Sequence, residues 1–586
     1  MYAENDPVQQ NIKEWLEGDY DEKSKEEIRK KLKENPDELV DAFYKRLEFG
    51  TGGLRGIMGV GINRINIYTI RAASQGLANY INQKNTSKNF PCIFIGYDTR
   101  NDSRKFAEEA AEVFSGNNIE VYIFKRPSGT PLVSFGCRYK GCMGAVMITA
   151  SHNPSRYNGY KVYGEDGAQV LDPDDKNIIQ EVNKINTHSV HRADLEENPL
   201  IHFVQSEIEI PYYEALQKRQ LFPEINQSEG HTLHIVYTSL HGTGITLIPE
   251  ALAICGFSRI SLVEDQCIPD GNFPTVTYPN PEDPKTLKSG IELMLSEKAD
   301  LLLATDPDAD RMAVVVNHKG KAKILTGNQI ACLCVEYICT ALRSRDALSR
   351  HSAFVKTVVT GDLFKVIAEK NGATCFEVLT GFKYIAELIR KGEKTSDDYE
   401  FIFGAEESFG FLFGVDVRDK DAGSASVLIC EIALKARLEG KTLWDRLFEL
   451  YEKYGVYTER LYMIEFEESK EGHEKMREKM TGLRKSPVMV IGGSKVVHVQ
   501  DFLSSIEFNV ETGKSVSIEL PKTDLLGFIL ENGNKVMIRP SGTEPKIKIY
   551  GFVRKKRGGE ASISDTMAIC EHVCDSLINE IVSNLK

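Results

Sequence analysis

Four short apolar runs, each passing directly into a loop of small polar residues, constrain this chain more than any other feature. They are GAVMITA into SHNP (144–154), ADLLLAT into DPDADR (299–311), YEFIFGA into EESFG (399–410) and NKVMI into RPSGTEP (534–545). Helix-like runs separate them, such as KFAEEAAEVFSG (105–116) and GNQIACLCVEYICTALRS (327–344). Strands alternating with helices predict α/β domains with largely parallel sheets, which meet ligands at the carboxyl ends of their strands. A chain of 586 residues exceeds what one core organises, so about three to five domains are expected. Four strand-end loops in four regions point to four domains facing one cleft.

The boundaries fall where this rhythm breaks. QKRQLFPEINQSEGHT (217–232) has few apolar anchors and reads as a first linker. A second boundary is placed near Leu325. A third lies near Tyr457, where YTERLYMIEFEESKEGHEK departs from the α/β pattern and offers an expected hinge. The predicted domains are 1–216, 217–325, 326–457 and 458–586, the last with strands followed by a helix over 565–583 and therefore α+β.

Composition narrows the function. A net charge of −13 argues against general nucleic-acid binding, because polyphosphate backbones attract basic surfaces. Phosphate could still be held, but by local Arg, Lys and backbone amides. The first thirty residues lack a signal-peptide apolar stretch, and no run approaches the roughly eighteen apolar residues of a membrane span. The twelve cysteines are scattered without paired zinc spacing, and read as buried free thiols of a cytoplasmic protein.

The loops carry the chemistry. In DPDADR, Asp306, Asp308 and Asp310 alternate with Pro307 and Ala309, so an extended backbone would point all three carboxylates one way. Three close anions repel unless a hard cation neutralises them, and oxygen-only ligands suit Mg²⁺ or Ca²⁺. An EF-hand fails, because Arg311 and Asn317 stand where it needs Gly and Glu. In TASHNPSRYNGYK, Ser151 at a strand end beside His152, with Lys161 further on, is either a covalent carrier or a plain turn serine; spacing alone favours the turn. No G-x-S-x-G elbow surrounds it, which argues against acyl hydrolysis. In RPSGTEPK, Arg539 offers a planar bidentate donor, and Ser541, Gly542 and Thr543 offer hydroxyls and amides for phosphate. An ordinary hairpin turn is the equal alternative. RPSGT also occurs at Arg126 to Thr130, leading into PLVSF, and is read as a coincidence of turn composition. Glu406, Glu407 and Ser408 could read sugar hydroxyls or form a solvated acidic turn. EFGTGGLRGIMG (48–59), a glycine-rich loop carrying Arg55, lacks both the P-loop ending and G-x-G-x-x-G, so nucleotide binding is unsupported.

Together and in this order, these loops resemble the α-D-phosphohexomutase superfamily from about Glu48 to Tyr550. EFGTGGLRG, YNGYK and the length look most like its phosphoglucomutase and phosphopentomutase branch. The resemblance implies an α/β protein of four domains around a central cleft, three with mixed, largely parallel sheets and a smaller α+β fourth. It implies that Ser151 carries a phosphoryl group and that one Mg²⁺ per chain is held by it and by Asp306, Asp308 and Asp310. Arg55 and Arg311 would stabilise charge near the transferring group, and Lys161 and His152 would move protons to and from the sugar hydroxyl. Thr380 and Gly381, in LTGFKY, would lie beside the substrate. Glu406 and Ser408 would read sugar hydroxyls, with Lys420 near them. Arg539, Ser541, Gly542 and Thr543 would clamp the phosphate that is not transferred. Ala405 stands where many members have Gly, with little effect expected. The implied activity is a phosphosugar mutase interconverting the 1-phosphate and the 6-phosphate (or 5-phosphate) of a sugar, with glucose as the expected sugar. A bisphosphate intermediate and glucose 1,6-bisphosphate as activator go with it. Phosphopentomutase, phosphomannomutase and glucose 1,6-bisphosphate synthase are the alternatives within the family, and a metal-dependent phosphatase or a non-enzymatic sugar-phosphate sensor those outside it. The expected partner is a small-molecule sugar phosphate, with no nucleic acid or membrane, and the chain is a monomer or dimer.

Overall fold

The computed structural model describes residues 6–585 apart from 51, 87–89, 187–188, 395–397, 468–469, 542–544 and 557–561. Four sheets are present among them. The chain separates into two compact units. One comprises 1–325, 386–394 and 408–434, and the other 326–385, 395–407 and 435–586.

The first unit holds two α/β sheets. In the first, parallel strands Gly144–Ile148, Cys92–Tyr97, Glu120–Phe124 and Ile201–Val204 lie side by side. Tyr157–Gly164 and then Gly53–Ile57 continue that sheet antiparallel at one edge. The apolar runs are buried on both faces, as parallel strands covered by helices require. The second sheet centres on Leu301–Thr305, flanked by parallel Ile235–Thr238 and antiparallel Met312–His318. The stretch expected as a linker, 217–232, holds the end of helix Ser206–Arg219, the helix Pro223–Glu229 and the short turn Gly230–Thr232. Its few anchors suffice because they are buried: Leu221 is covered, and Glu431 accepts hydrogen bonds from the Leu221 and Phe222 amides and from Asn226 Nδ2.

The second unit holds a parallel trio, Thr374–Val378, Ser352–Thr357 and Glu400–Ala405. It also holds an antiparallel sheet whose order is Val456–Glu465, Lys546–Lys555, Lys535–Pro540, Leu526–Leu530, Ser494–Asp501, Ile506–Asn509 and Ser515–Ser517. This β-rich region closes with helix Ile563–Leu585, whose Cys570, Leu577 and Ile581 are buried. The segment near Tyr457 expected as a hinge is a ten-residue edge strand, Val456–Glu465, entered through Gly455 at φ 96°. Its weak core pattern follows from that edge position, where much of the strand stays exposed. All twelve cysteines are free thiols, ten of them buried. No helix among the described residues is long and apolar enough to cross a membrane.

A buried ionic cluster joins the third sheet to the antiparallel one. Lys356 Nζ lies 2.6 Å from Glu377 and 3.4 Å from Asp362, while Lys535 Nζ lies 2.7 Å from Asp362. Glu459 completes it, seated so closely over Gly361 that a Cβ there would meet Oε1 at 2.3 Å. Burial and then the Asp362 charge push the Glu459 carboxyl up to about 7, with Lys535 and Lys356 opposing. A carboxyl raised on folding stabilises when protonated, so its contribution is complete below the unfolded value and is lost as pH rises through about 7. Glu459→Gln should therefore gain stability relative to the parent between pH 6 and 8, on the order of 2 kcal/mol at most. Thermal unfolding of both proteins across that range checks it; a pH-independent difference would contradict the assignment.

Candidate functional site

The strand Gly144–Ile148 delivers its loop into a tight, strained turn. Ser151 adopts φ 51°, and its amide donates to Thr149 Oγ1 at 2.8 Å. A non-glycine residue in the left-handed region persists only where its surroundings hold it. Here they do. Thr149 Oγ1 donates to Asp98 Oδ2 at 2.6 Å, and the buried Arg100 guanidinium donates to the Ser151 carbonyl at 2.6 Å, to Pro154 O at 2.8 Å and to Tyr157 O at 3.0 Å. It also reaches Asn153 O, and Arg100 Nε sits 3.2 Å from Asp98. One buried ion pair thus grips the whole Ser151 loop.

The metal-loop candidate follows Leu301–Thr305. Its backbone is a turn rather than an extended run, with Ala309 at φ 52° and the Ala309 amide donating to the Asp306 carbonyl at 2.9 Å. The three carboxylates still converge, because the Asp310 and Arg311 amides donate to Asp306 Oδ1 at 3.1 and 3.0 Å and curl the chain around it. One oxygen from each of Asp306, Asp308 and Asp310 lies within 4.8 Å of the others, and all three residues are buried. Ser151 Oγ donates to Asp306 Oδ2 at 2.8 Å and lies 3.2 Å from His152 Nδ1.

Cations crowd this cluster. Lys161 Nζ, carried back by the returning strand Tyr157–Gly164, lies 2.7 Å from Asp308 Oδ2 and 3.1 Å from Asp310 Oδ2. Lys420 Nζ reaches the same Asp310 oxygen at 3.1 Å and Asp419 at 2.9 Å. Arg311 pairs with Glu282. Arg55, on the edge strand Gly53–Ile57, donates to Asn153 Oδ1 at 3.2 Å. Burial and the neighbouring anions Asp310 and Asp308 push Asp306 well above the usual carboxylate range. For Asp310 burial acts upward too, but Lys420, Lys161 and Arg311 outweigh it and hold the group well below that range. Burial depresses Lys161, yet Asp308, Asp310 and Asp419 overcome it and keep its ammonium more firmly protonated than an ordinary lysine.

The donor set fits a hard divalent cation. Among the described residues neither buried Asp308 Oδ1 nor buried Asp310 Oδ1 has a hydrogen-bond partner, the Arg311 guanidinium standing 3.9 Å from the latter. Leaving such oxygens bare costs several kcal/mol per charge, which a bound cation would recover. All ligands are oxygens, as Mg²⁺ prefers.

The second unit holds Thr380, Gly381, Glu406 and Arg539. Gly381, at φ 123°, donates its amide to Glu406 Oε1 at 2.9 Å, tying the Thr380–Gly381 loop to the end of Glu400–Ala405. Burial and then the Glu406 charge raise the Glu407 carboxyl, opposed by Arg539 and Lys548. RPSGTEP links the antiparallel strands Lys535–Pro540 and Lys546–Lys555, and the Ser541 amide closes that hairpin onto Lys546 O at 2.7 Å. Gly542 and Thr543 lie outside the described residues. Ser408 belongs to the first unit and is half-buried.

Several functional residues escaped the sequence reading. Asp98 and Arg100 sit where CIFIGY runs into DTRNDS, a fifth apolar run into a polar loop. Asp419 and Glu282 carried no local signal, since each acts only through a cation distant in sequence. Thr130, in the discounted copy of RPSGT, lands on Asp308.

Comparison with known proteins identifies the family and the fold. Models of the phosphoglucomutase/phosphomannomutase α/β/α domains I, II and III match residues 46–189, 211–320 and 326–454. A phosphoglucomutase of Staphylococcus epidermidis is 37% identical over 519 residues, covering 88% of this chain and 92% of that one. One from Staphylococcus aureus is 38% identical over 518 residues, covering 88% and 90%. Among solved structures, Paramecium parafusin, a phosphoglucomutase in an open form, superposes with a TM-score of 0.65 at 17% identity, covering 92% of this chain and 96% of that one. A phosphoglucomutase/phosphomannomutase family protein from Burkholderia thailandensis gives 0.63 at 16% identity, covering 92% and 97%. At those identities the two structures speak to the fold alone.

Arg100→Leu should leave Asp98 buried and unpaired, which costs about 3–5 kcal/mol. The unfolding temperature should drop, and the amides of 151–157 should exchange hydrogen faster than those of the neighbouring strands. Unaltered exchange in that loop would mean that something other than Arg100 holds it.

Proposed function

We propose that this chain, which belongs to the phosphoglucomutase/phosphomannomutase family and is a phosphosugar mutase, interconverts glucose 1-phosphate and glucose 6-phosphate through phosphorylated Ser151 and glucose 1,6-bisphosphate. One observation supports Ser151 as carrier above all: its Oγ lies 2.8 Å from an aspartate of the buried triad, on a loop locked by Arg100. The relatives named phosphoglucomutase support glucose as the sugar. The proposal keeps four domains, 1–216, 217–325, 326–457 and 458–586, supported by the four sheets. It also keeps a cytoplasmic location.

In this reading Asp306, Asp308, Asp310 and Ser151 hold one Mg²⁺. When bound, such an ion offsets the charge of about −1.5 to −2 on a phosphoserine and polarises the phosphoryl oxygens. Arg55 and Arg311 add fixed positive charge on the same side, where loose phosphoryl transfer spreads negative charge over the equatorial oxygens. His152 Nδ1, 3.2 Å from Ser151 Oγ, holds or passes the proton exchanged as that oxygen alternates between ester and alcohol. Lys161, held by Asp308 and Asp310, serves proton transfer at the sugar hydroxyl. Glu406 and Ser408 read sugar hydroxyls, Thr380 and Gly381 contact the substrate, and Lys420 neutralises Asp310. Arg539, with Ser541, Gly542 and Thr543, holds the non-reacting phosphate, so one clamp serves both orientations of the bisphosphate.

Ser151→Ala should abolish turnover, by about a thousandfold or more, with the unfolding temperature nearly unchanged. Coupled assay with glucose 1-phosphate, and intact-mass detection of one stable phosphate on the parent only, test this; near-normal turnover would sink the carrier assignment.

Arg539→Ala removes a charge-assisted contact worth about 1.5–3 kcal/mol, so KM should rise roughly ten- to a hundredfold. Because the bisphosphate then escapes more often, leaving Ser151 bare, the variant should depend more strongly on added glucose 1,6-bisphosphate. Parent-like KM and parent-like dependence on the bisphosphate would return RPSGT to an ordinary turn.

A further inference from the structure

We propose that the turn Arg126–Thr130, where RPSGT first occurs, is a clasp on the metal loop, and that Thr130 is the positioning residue that aims Asp308. The inference rests on the reading that the aspartate triad holds a divalent cation. Thr130 contacts Asp308 twice: its amide donates to the Asp308 carbonyl at 2.8 Å, and its Oγ1 donates to Asp308 Oδ2 at 2.8 Å. Both residues are fully buried, so water does not compete for either bond. Lys161 takes the same Oδ2 at 2.7 Å. One oxygen of Asp308 is therefore fully engaged and the other, Oδ1, is left without a hydrogen-bond partner beside Asp306 and Asp310. A carboxylate gripped at one oxygen by a hydroxyl and an ammonium can present only the other to a cation, and such outer partners set ligand orientation.

The fit of the clasp is close. A Cβ at Gly129 would lie 3.2 Å from both the Ala309 side chain and the Asp308 carbonyl oxygen, so the turn approaches the loop as nearly as glycine comfortably allows. Thr130 also opens the helix Thr130–Lys140, which brings the positive end of that helix to the buried carboxylate. A second Gly-Thr turn, Gly242–Thr243, grips the neighbouring Pro307. The Thr243 amide and Oγ1 both donate to Pro307 O, at 2.8 and 2.9 Å, and a Cβ at Gly242 would meet Pro307 Cα at 2.3 Å. Thr243 holds backbone only, whereas Thr130 alone of the two reaches a carboxylate. That difference assigns metal-site geometry to Thr130 and loop anchoring to Thr243.

The test uses the full chain and Mn²⁺ as the probe, titrated by paramagnetic resonance and by calorimetry, with melting followed in EDTA and in excess Mn²⁺. Thr130→Val keeps the shape and deletes the hydroxyl. Its Mn²⁺ affinity should fall about ten- to a hundredfold, while Thr130→Ser should recover affinity to within about threefold of the parent. The melting temperature in EDTA should change little, and the Mn²⁺-induced rise should shrink in the hydroxyl-free variants but not in Thr130→Ser. Thr130→Ala, which deletes the hydroxyl without a branched replacement, is the second variant and should match Thr130→Val in affinity. Parent-like Mn²⁺ affinity in either hydroxyl-free variant overturns the clasp while leaving the metal reading intact. If neither variant folds, or if all the loss is in the EDTA melting temperature, Thr130 is a structural residue and the proposal falls. If the parent itself binds no Mn²⁺, the metal reading fails and the clasp fails with it.

Discussion

Three fully or almost fully buried carboxylates lie so close that an oxygen of each is within 4.8 Å of the others. Like charges at that separation repel by about 1 kcal/mol in water and several-fold more in a low-dielectric interior. The surrounding structure answers this repulsion piece by piece. Two backbone amides face Asp306 Oδ1, Ser151 Oγ faces Oδ2, Lys161 spans Asp308 and Asp310, and Lys420 faces Asp310. The neutralisation is incomplete. Burial and the neighbouring carboxylates push Asp306 upward, while Lys420, Lys161 and Arg311 hold Asp310 well below the usual range.

The same economy explains the Ser151 loop. Its positive φ would relax if the backbone carbonyls were free to turn. Arg100 prevents this by collecting carbonyls from four residues of the loop, and Asp98 keeps that guanidinium in place while binding Thr149. Burial pulls Arg100 down and pushes Asp98 up, and each charge opposes that shift in the other. A flexible hydroxyl would sample many directions. This one is aimed at Asp306 by a rigid carbonyl grip outside the reacting atoms.

In the second unit, buried lysines serve architecture. Lys356 and Lys535 share Asp362, and Leu379, Met537, Tyr550 and Phe552 form one apolar cluster that seals the third sheet against the antiparallel one. Arg539 stands on the same strand as Lys535, four residues on, and it acts on Glu407 through space. The hairpin that carries RPSGTEP is thus mounted on a packed, ion-paired base rather than on a loose tail.

Local pattern alone was enough to predict α/β sheets and to place Ser151, Asp306 and Glu406 just past strand ends, because strand and helix periodicities are written within ten or so consecutive residues. The edge strand Val456–Glu465 and the helices Ser206–Arg219 and Pro223–Glu229 are less legible for a related reason: an exposed edge and a sparsely anchored stretch show little periodicity of their own. Tertiary structure decided the rest. It folded DPDADR into a turn instead of an extended run, brought Lys420 to Asp310 from 110 residues away, and made Arg100 the keeper of Ser151. It also separated two identical pentapeptides. RPSGT at Arg126 opens a helix and its threonine meets a carboxylate, whereas RPSGT at Arg539 begins within the strand Lys535–Pro540. A motif specifies donors and acceptors, but a hydrogen bond or ion pair needs a partner within about 3 Å, and only the fold supplies partners remote in sequence.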